Sequence, residues 1–224
     1  MIVRFWLLAV FLGASSPDRS SVPVRMKTHW RLASSIETEL IRGNLDVVRT
    51  MAGQLADLEP TELPPDLRGP LEQLRLVAGM VEDADDIDQA AVAVARLGAA
   101  CASCHLHTGG GPTDRARAQP PAEWNERRMT RHQWAADWMW LGLVGPSQSA
   151  WDRGARELAR EPFLDPDTRR LPGFAQYEAD VVAIAERSVG ETDPIDRATR
   201  TGELLAACAS CHRLLDEEVP ATDF

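Results

Sequence analysis

Two pentapeptides, Cys101-Ala102-Ser103-Cys104-His105 and Cys208-Ala209-Ser210-Cys211-His212, use all four cysteines of the chain. In a Cys-x-x-Cys-His segment two thiols stand one helical turn apart, so each can add to a vinyl group of haem while the adjacent imidazole reaches the iron. The expected cofactors are therefore two covalently bound c-type haems, attached through Cys101, Cys104, Cys208 and Cys211, with His105 and His212 on the irons. Two other chemistries use the same residue types: a pair of redox dithiols, or a zinc ion held by both cysteine pairs. Zinc ribbons space their pairs by about 15 to 20 residues, and a thioredoxin-like motif needs a βαβ setting. Here the pairs lie 107 residues apart and no strand alternation surrounds them.

Each pentapeptide closes an identical heptapeptide, Ala99 to His105 and Ala206 to His212, and the likeness continues upstream. With an offset of 103, the segment from Met26 lies without gaps on the segment from Met129, so that His29 meets His132, Ala33 meets Ala136 and Leu40 meets Leu143. A period above 100 residues is a domain duplication, not a solenoid of short repeats. Four of the five histidines then fall into equivalent pairs, and only His107 stands outside them.

Apolar periodicity and breakers give four helices per copy. In the first these are Met26 to Arg42, Leu45 to Leu58, Pro70 to Val81 and Ile87 to His105. In the second they are Met129 to Val144, Gln148 to Glu161, Pro172 to Ser188 and Pro194 to Leu214. Pro70 suits a first helical position, and Asp86 and Asp193 suit N-caps. The expected fold is all-α, two tandem four-helix bundles over residues 26–105 and 129–215, each with its motif at the end of the last helix and joined by a Gly- and Pro-rich linker over 106–128. The tryptophans Trp134, Trp138, Trp140 and Trp151 crowd the second copy and read as core or inter-lobe packing, His107 as a loop residue, and the acidic run 82–86 as a solvated turn.

Only 12 residues follow His212, none of them His or Met, so a sixth ligand for that haem has to come from upstream. A haem on the last helix with a distal residue on the first resembles the class II cytochromes, the cytochrome c′ family of four-helix bundles. His29 and His132 are the expected distal ligands, because an imidazole inside an amphipathic helix needs a polar or metal partner. Met26 and Met129, three residues earlier on the same face, are the alternative distal ligands, although packing also accounts for a buried Met. Ala33 and Ala136, one turn after each His, would leave room for a flat ring.

The expected function is electron transfer by a dihaem cytochrome c with both irons closed by protein ligands, and its partners are other redox proteins. It is read as an electron carrier, not an enzyme: a dihaem peroxidase would need one open iron beside acid and base groups, and the two copies look alike at the distal position. The resemblance implies the alternative, binding or sensing of small gaseous ligands at an open iron, and it also implies a homodimer, which the duplication could replace within one chain. A net charge of -10 speaks against nucleic acid and weakly favours basic partners. Residues 1–16, with Arg4, an apolar run from Phe5 and small residues from Gly13, read as a secretory signal peptide, which places the protein in the periplasm and in the hands of the haem c maturation machinery. That run is too short for the roughly 20 residues of a spanning helix, so no integral membrane domain is expected after signal removal.

Overall fold

The computed structural model describes residues 22–59, 63–112, 128–160 and 163–218. The expected signal segment and most of the expected linker lie outside these residues. The described residues form helices and no strand: α1 (Val22–Ile41), α2 (Leu45–Ala56), α3 (Pro65–Glu82), α4 (Ile87–Thr108), α5 (Arg128–Val144), α6 (Gln148–Leu158), α7 (Pro166–Arg170), α8 (Phe174–Ser188) and α9 (Pro194–Glu218). The chain is all-α.

Local chemistry explains most of these boundaries. Asp86 caps α4, its carboxylate accepting from the Gln89 N–H at 2.8 Å, and Gly109 ends that helix with φ of 65°. Asp193 caps α9 in the same way, accepting from the Ile195 N–H at 2.7 Å and the Asp196 N–H at 3.2 Å. Two boundaries differ from expectation. Pro70 does not open a helix: α3 begins at Pro65, and Pro70 lies inside it. Starting there puts Leu67 and Leu71 on the buried stripe with Leu74, and that burial outweighs the hydrogen bond Pro70 cannot donate. In the second copy the helix expected from Pro172 begins at Phe174 as α8, and a short helix that was not expected, α7, precedes it. Asp165 caps α7 by accepting from the N–H groups of Asp167 and Thr168, and Gly173, at φ of 86°, turns the chain into α8. His107 sits on the exposed last turn of α4, not in a loop.

Within each copy the helices pack in succession, α1 to α4 and α5 through α6 to α8 and α9. The two copies do not keep separate cores, because one continuous apolar cluster runs through both and α4 packs extensively on α9. At that crossing a Cβ on Gly202 would stand 3.6 Å from the Ala95 side chain. Each copy's first helix also lies along the other copy's last helix. A Cβ on Gly98 of α4 would stand 2.7 Å from the Leu143 side chain and 2.9 Å from Trp140, both of α5. Gly43, just past α1, faces Ala209 and Arg213 of α9.

The tryptophans serve this interlock. Trp138, Trp140 and Trp151 are fully buried, Trp30 of α1 and Trp134 pack around Trp138, and the Trp151 Nε1–H donates to the Ser188 carbonyl at 2.7 Å. Helix α4 is long and apolar enough to cross a membrane, but more than half of its apolar window is buried among the other helices.

Candidate functional site

Contacts between helices fix the relative directions of the four that carry the paired histidines. Helix α9 runs with α1, since Cys208 meets the charge of Glu37 while Arg213 lies against Gly43. It runs against α5, since Arg197 donates to the Gly142 carbonyl and His132 meets the charge of His212. Helix α4 runs with α5, from Gly98 beside Trp140 to His105 beside Val144. Helices α4 and α9 are therefore antiparallel. From the Ala95–Gly202 crossing, His105 and His212 each lie ten residues onward in opposite directions. At 1.5 Å per residue the two motifs end about 30 Å apart along the helix axes.

This geometry separates the competing chemistries of the cysteines. Cys101, Cys208 and Cys211 are buried, Cys104 is half-buried, and all four are free thiols. Burial first, and then the neighbouring cysteine, raises Cys101 and Cys208 to about 12; burial and the Glu178 charge raise Cys211 to about 11, and burial raises Cys104. A redox dithiol needs the opposite, a thiol whose pKa is lowered by its surroundings. A single zinc cannot gather both pairs from opposite ends of α4 and α9. Among the described residues no group of three or more His, Cys, Asp or Glu side chains converges on one point. What remains is thiol pairs held on one face of a helix end, each beside an imidazole.

The imidazoles are held differently at the two ends. His105 is half-buried and its Nδ1 lies 2.7 Å from the Val144 carbonyl. A carbonyl only accepts, so Nδ1 carries the proton and Nε2 keeps a lone pair for a metal. His132 is buried and stacks on Phe163 with ring centroids 4.1 Å apart, and its Nε2 has no hydrogen-bond partner. Burial, then the charges of His212 and Arg131, push its pKa down to about 3 against an opposing Glu178. Its counterpart His29 is half-buried, lowered by burial and by Arg25. The structure thus brings His132 and His212 into one neighbourhood, whereas the charged neighbour acting on His29 is Arg25. Met26 is half-buried and Met129 is 37% exposed. Of the two residues offered by the first turns of α5, His132 is the buried one. Ala33 and Ala136 are buried, and Ala136 borders a small pocket where α1, α5 and α9 meet, with room for about one water.

Neutral burial of His132 has a consequence for the polypeptide without bound ligand. Because the folded pKa lies below the unfolded value of 6.5, the unfolded chain takes up a proton that the folded chain refuses. Stability from this group is full above about pH 6.5 and is lost as pH falls toward 3. Denaturation followed by helical circular dichroism is expected to lose up to about 2 kcal/mol between pH 7 and pH 5, and His132→Gln is expected to flatten that slope.

Three residues that the sequence did not single out complete this end of the molecule. Glu178 of α8 is buried and accepts from the Phe163 N–H at 2.9 Å, the Leu164 N–H at 2.8 Å and the Arg169 guanidinium at 2.5 Å. Burial opposes its charge, but Arg169 and the two backbone donors outweigh it and hold the carboxyl below the usual range. Arg169 and Glu178 so clamp the segment whose Phe163 ring covers His132. A signal was present: Leu164 to Arg169 echoes Leu63 to Arg68, and Glu178 occupies an otherwise apolar helical stripe.

Compared with known proteins, the chain matches no protein-family model, no curated protein and no solved structure.

Proposed function

We propose that the chain is an exported dihaem c-type cytochrome that carries electrons between redox proteins. The reading rests on one observation above the others: the only four cysteines form two Cys-x-x-Cys-His segments at equivalent ends of two duplicated helices. Each copy would serve as one haem-binding unit, as in the class II cytochromes that the chain resembles, although the two units share a core. When bound, each haem supplies an iron that takes up and releases a single electron.

The residues fit that group by their chemistry. Cys101 with Cys104, and Cys208 with Cys211, would attach the two rings through thioether bonds. His105 offers Nε2 because Val144 holds the proton on Nδ1. His132 is the distal ligand best supported at the second site: it is buried, neutral, without a partner at Nε2, and close enough to His212 to sense its charge. His29 takes the equivalent role at the first. The chain's part in electron transfer would be to hold the rings through the cysteines, offer imidazoles to the irons and exclude water from the buried side.

The experiment is the absorption spectrum of protein produced with the haem c maturation machinery, oxidised, reduced, and reduced under carbon monoxide, with covalent haem counted per chain. Two haems whose reduced spectrum ignores carbon monoxide are expected. A chain without covalent haem overturns the proposal, and a carbon monoxide shift replaces it with gas binding at an open iron.

A further inference from the structure

The crossing of α4 and α9 divides one helix seam into two equivalent ends. Ala95 and Gly202, which meet there, are repeat counterparts at the same spacing of 107 residues as the motifs. Leu106 lies eleven residues past Ala95 and Ile195 seven residues before Gly202, close to three and two full turns, so both return to the faces that meet at the crossing. Because the helices are antiparallel, both stand toward the first motif, at heights about 6 Å apart along the axes. They are 65% and 77% exposed. The same positions at the other end of the seam are Arg213 and Asp88, exposed and charged. The duplicated fold does without an exposed apolar pair at one end and carries it at the other, beside Cys104, the only one of the four thiols that is not buried.

Single exposed apolar residues are ordinary, but an adjoining pair whose repeat counterparts are charged is not a requirement of the fold. Its rim is acidic. Asp193 and Asp196 are exposed, and among the described residues neither stands within ion-pair distance of a cation. The nearby cations are engaged elsewhere: Arg197 is buried and donates inward to Gln148 and the Glu191 carbonyl, and Arg187 and Arg200 both pair with Glu203. The chain leaves α4 on the opposite side, toward α5, where a Cβ on Gly145 would stand 2.8 Å from the Pro112 carbonyl. A second copy seated on the pair would set this acidic rim against itself, whereas a basic surface complements it. Resting on the proposed dihaem reading, we infer that Leu106 and Ile195, rimmed by Asp193 and Asp196, form the docking surface for a basic electron-transfer protein, so that electrons enter and leave the chain at the Cys101–His105 end.

Laser-flash kinetics on the haem-loaded full chain test this, with a zinc-substituted, lysine-rich class I cytochrome c as the donor. Excited by light, the donor loses one electron and an oxidised haem of the chain gains it. The rate constant is expected to fall as salt is raised, less steeply in Asp196→Asn. It is expected to drop about tenfold when Leu106→Ser and Ile195→Ser are combined, and to stay in place in Val92→Ser, which is 49% exposed on α4 beyond the crossing. Cys101→Ala with Cys104→Ala should lose the fast transfer, and Cys208→Ala with Cys211→Ala should keep it. Reduction by dithionite is expected to be equal in all haem-loaded variants, which separates docking from damage to a haem site. Transfer that ignores salt, that is unmoved by the combined seam variant, or that is as fast in the chain lacking the first haem overturns the inference. So does a combined seam variant whose only effect is to convert a dimer to a monomer in sedimentation, which would seat a second copy on the pair. A loss of thermal stability alone overturns it too, because the pair would then be covered by the chain's own segment. Absence of covalent haem defeats the dihaem reading itself.

Discussion

Replacing Cys208 and Cys211 together by Ala is expected to reduce covalent haem from two per chain to one, read as the loss of one haem mass from the denatured protein. Cys101→Ala with Cys104→Ala is expected to do the same at the other end, and all four substitutions together to leave none. The argument is geometric. The pairs stand at opposite ends of an antiparallel helix pair, about 30 Å apart along the axes, so neither pair can supply a thiol to the other's ring. Alanine is the informative replacement because these sulfurs are free and all but that of Cys104 are buried, and a hydroxyl left at a buried position without a partner would cost about 1 to 3 kcal/mol on its own. Loss of both haems from either double variant would mean that attachment at one end depends on the other, and unchanged mass would remove the cysteines from haem attachment altogether.

A shared core makes a further demand on that experiment. Gly98 lies against α5 and Gly43 against α9, so each copy's motif helix is supported by the other copy's first helix. The single-haem proteins should therefore unfold in one transition and not as two lobes, because no boundary between cores exists at which they could part.

Sequence alone exposes the local features because their causes are local. Asp86 and Asp193 precede helices as caps must, Gly43-Asn44 breaks a helical pattern, and the heptapeptides align themselves. The interlock between copies is a different kind of fact. The repeat relates Gly98 to Leu205 and Glu37 to Trp140, but periodicity cannot say which copy's helix each one meets. Helix α3 shows the same limit at smaller scale: Pro70 reads as a helix start by its own preference, and burial of Leu67 and Leu71 moves the start to Pro65. Glu178 stays hidden because a lone acidic residue in an apolar stripe normally marks an exposed turn. Its partners, the N–H groups of Phe163 and Leu164 and the Arg169 guanidinium, come from a segment that only the folded chain brings to it.

The histidine pairs were legible as pairs, and the structure makes them unequal, which leads to the last expected result. His132→Ala in the haem-loaded chain is expected to make one of the two reduced haems bind carbon monoxide, with about half the spectral change of a fully open dihaem protein, while both remain covalently attached. His132 is 9% exposed, its Nε2 is without a hydrogen bond, and burial keeps the ring neutral. An imidazole in that state has paid the cost of leaving water and lacks a partner, which a metal ligand would supply. Met129 offers no comparable need, being 37% exposed at the start of α5, so Met129→Leu is expected to leave the carbon monoxide spectrum unchanged. Phe163 provides a third reading of the same site. Its ring packs on His132 and its backbone is tied to Glu178, so Phe163→Ala should loosen His132 without deleting it, giving slower and weaker carbon monoxide binding than His132→Ala. If His132→Ala stays indifferent to carbon monoxide and Met129→Leu responds, the thioether takes the distal position and the unsatisfied imidazole needs another explanation.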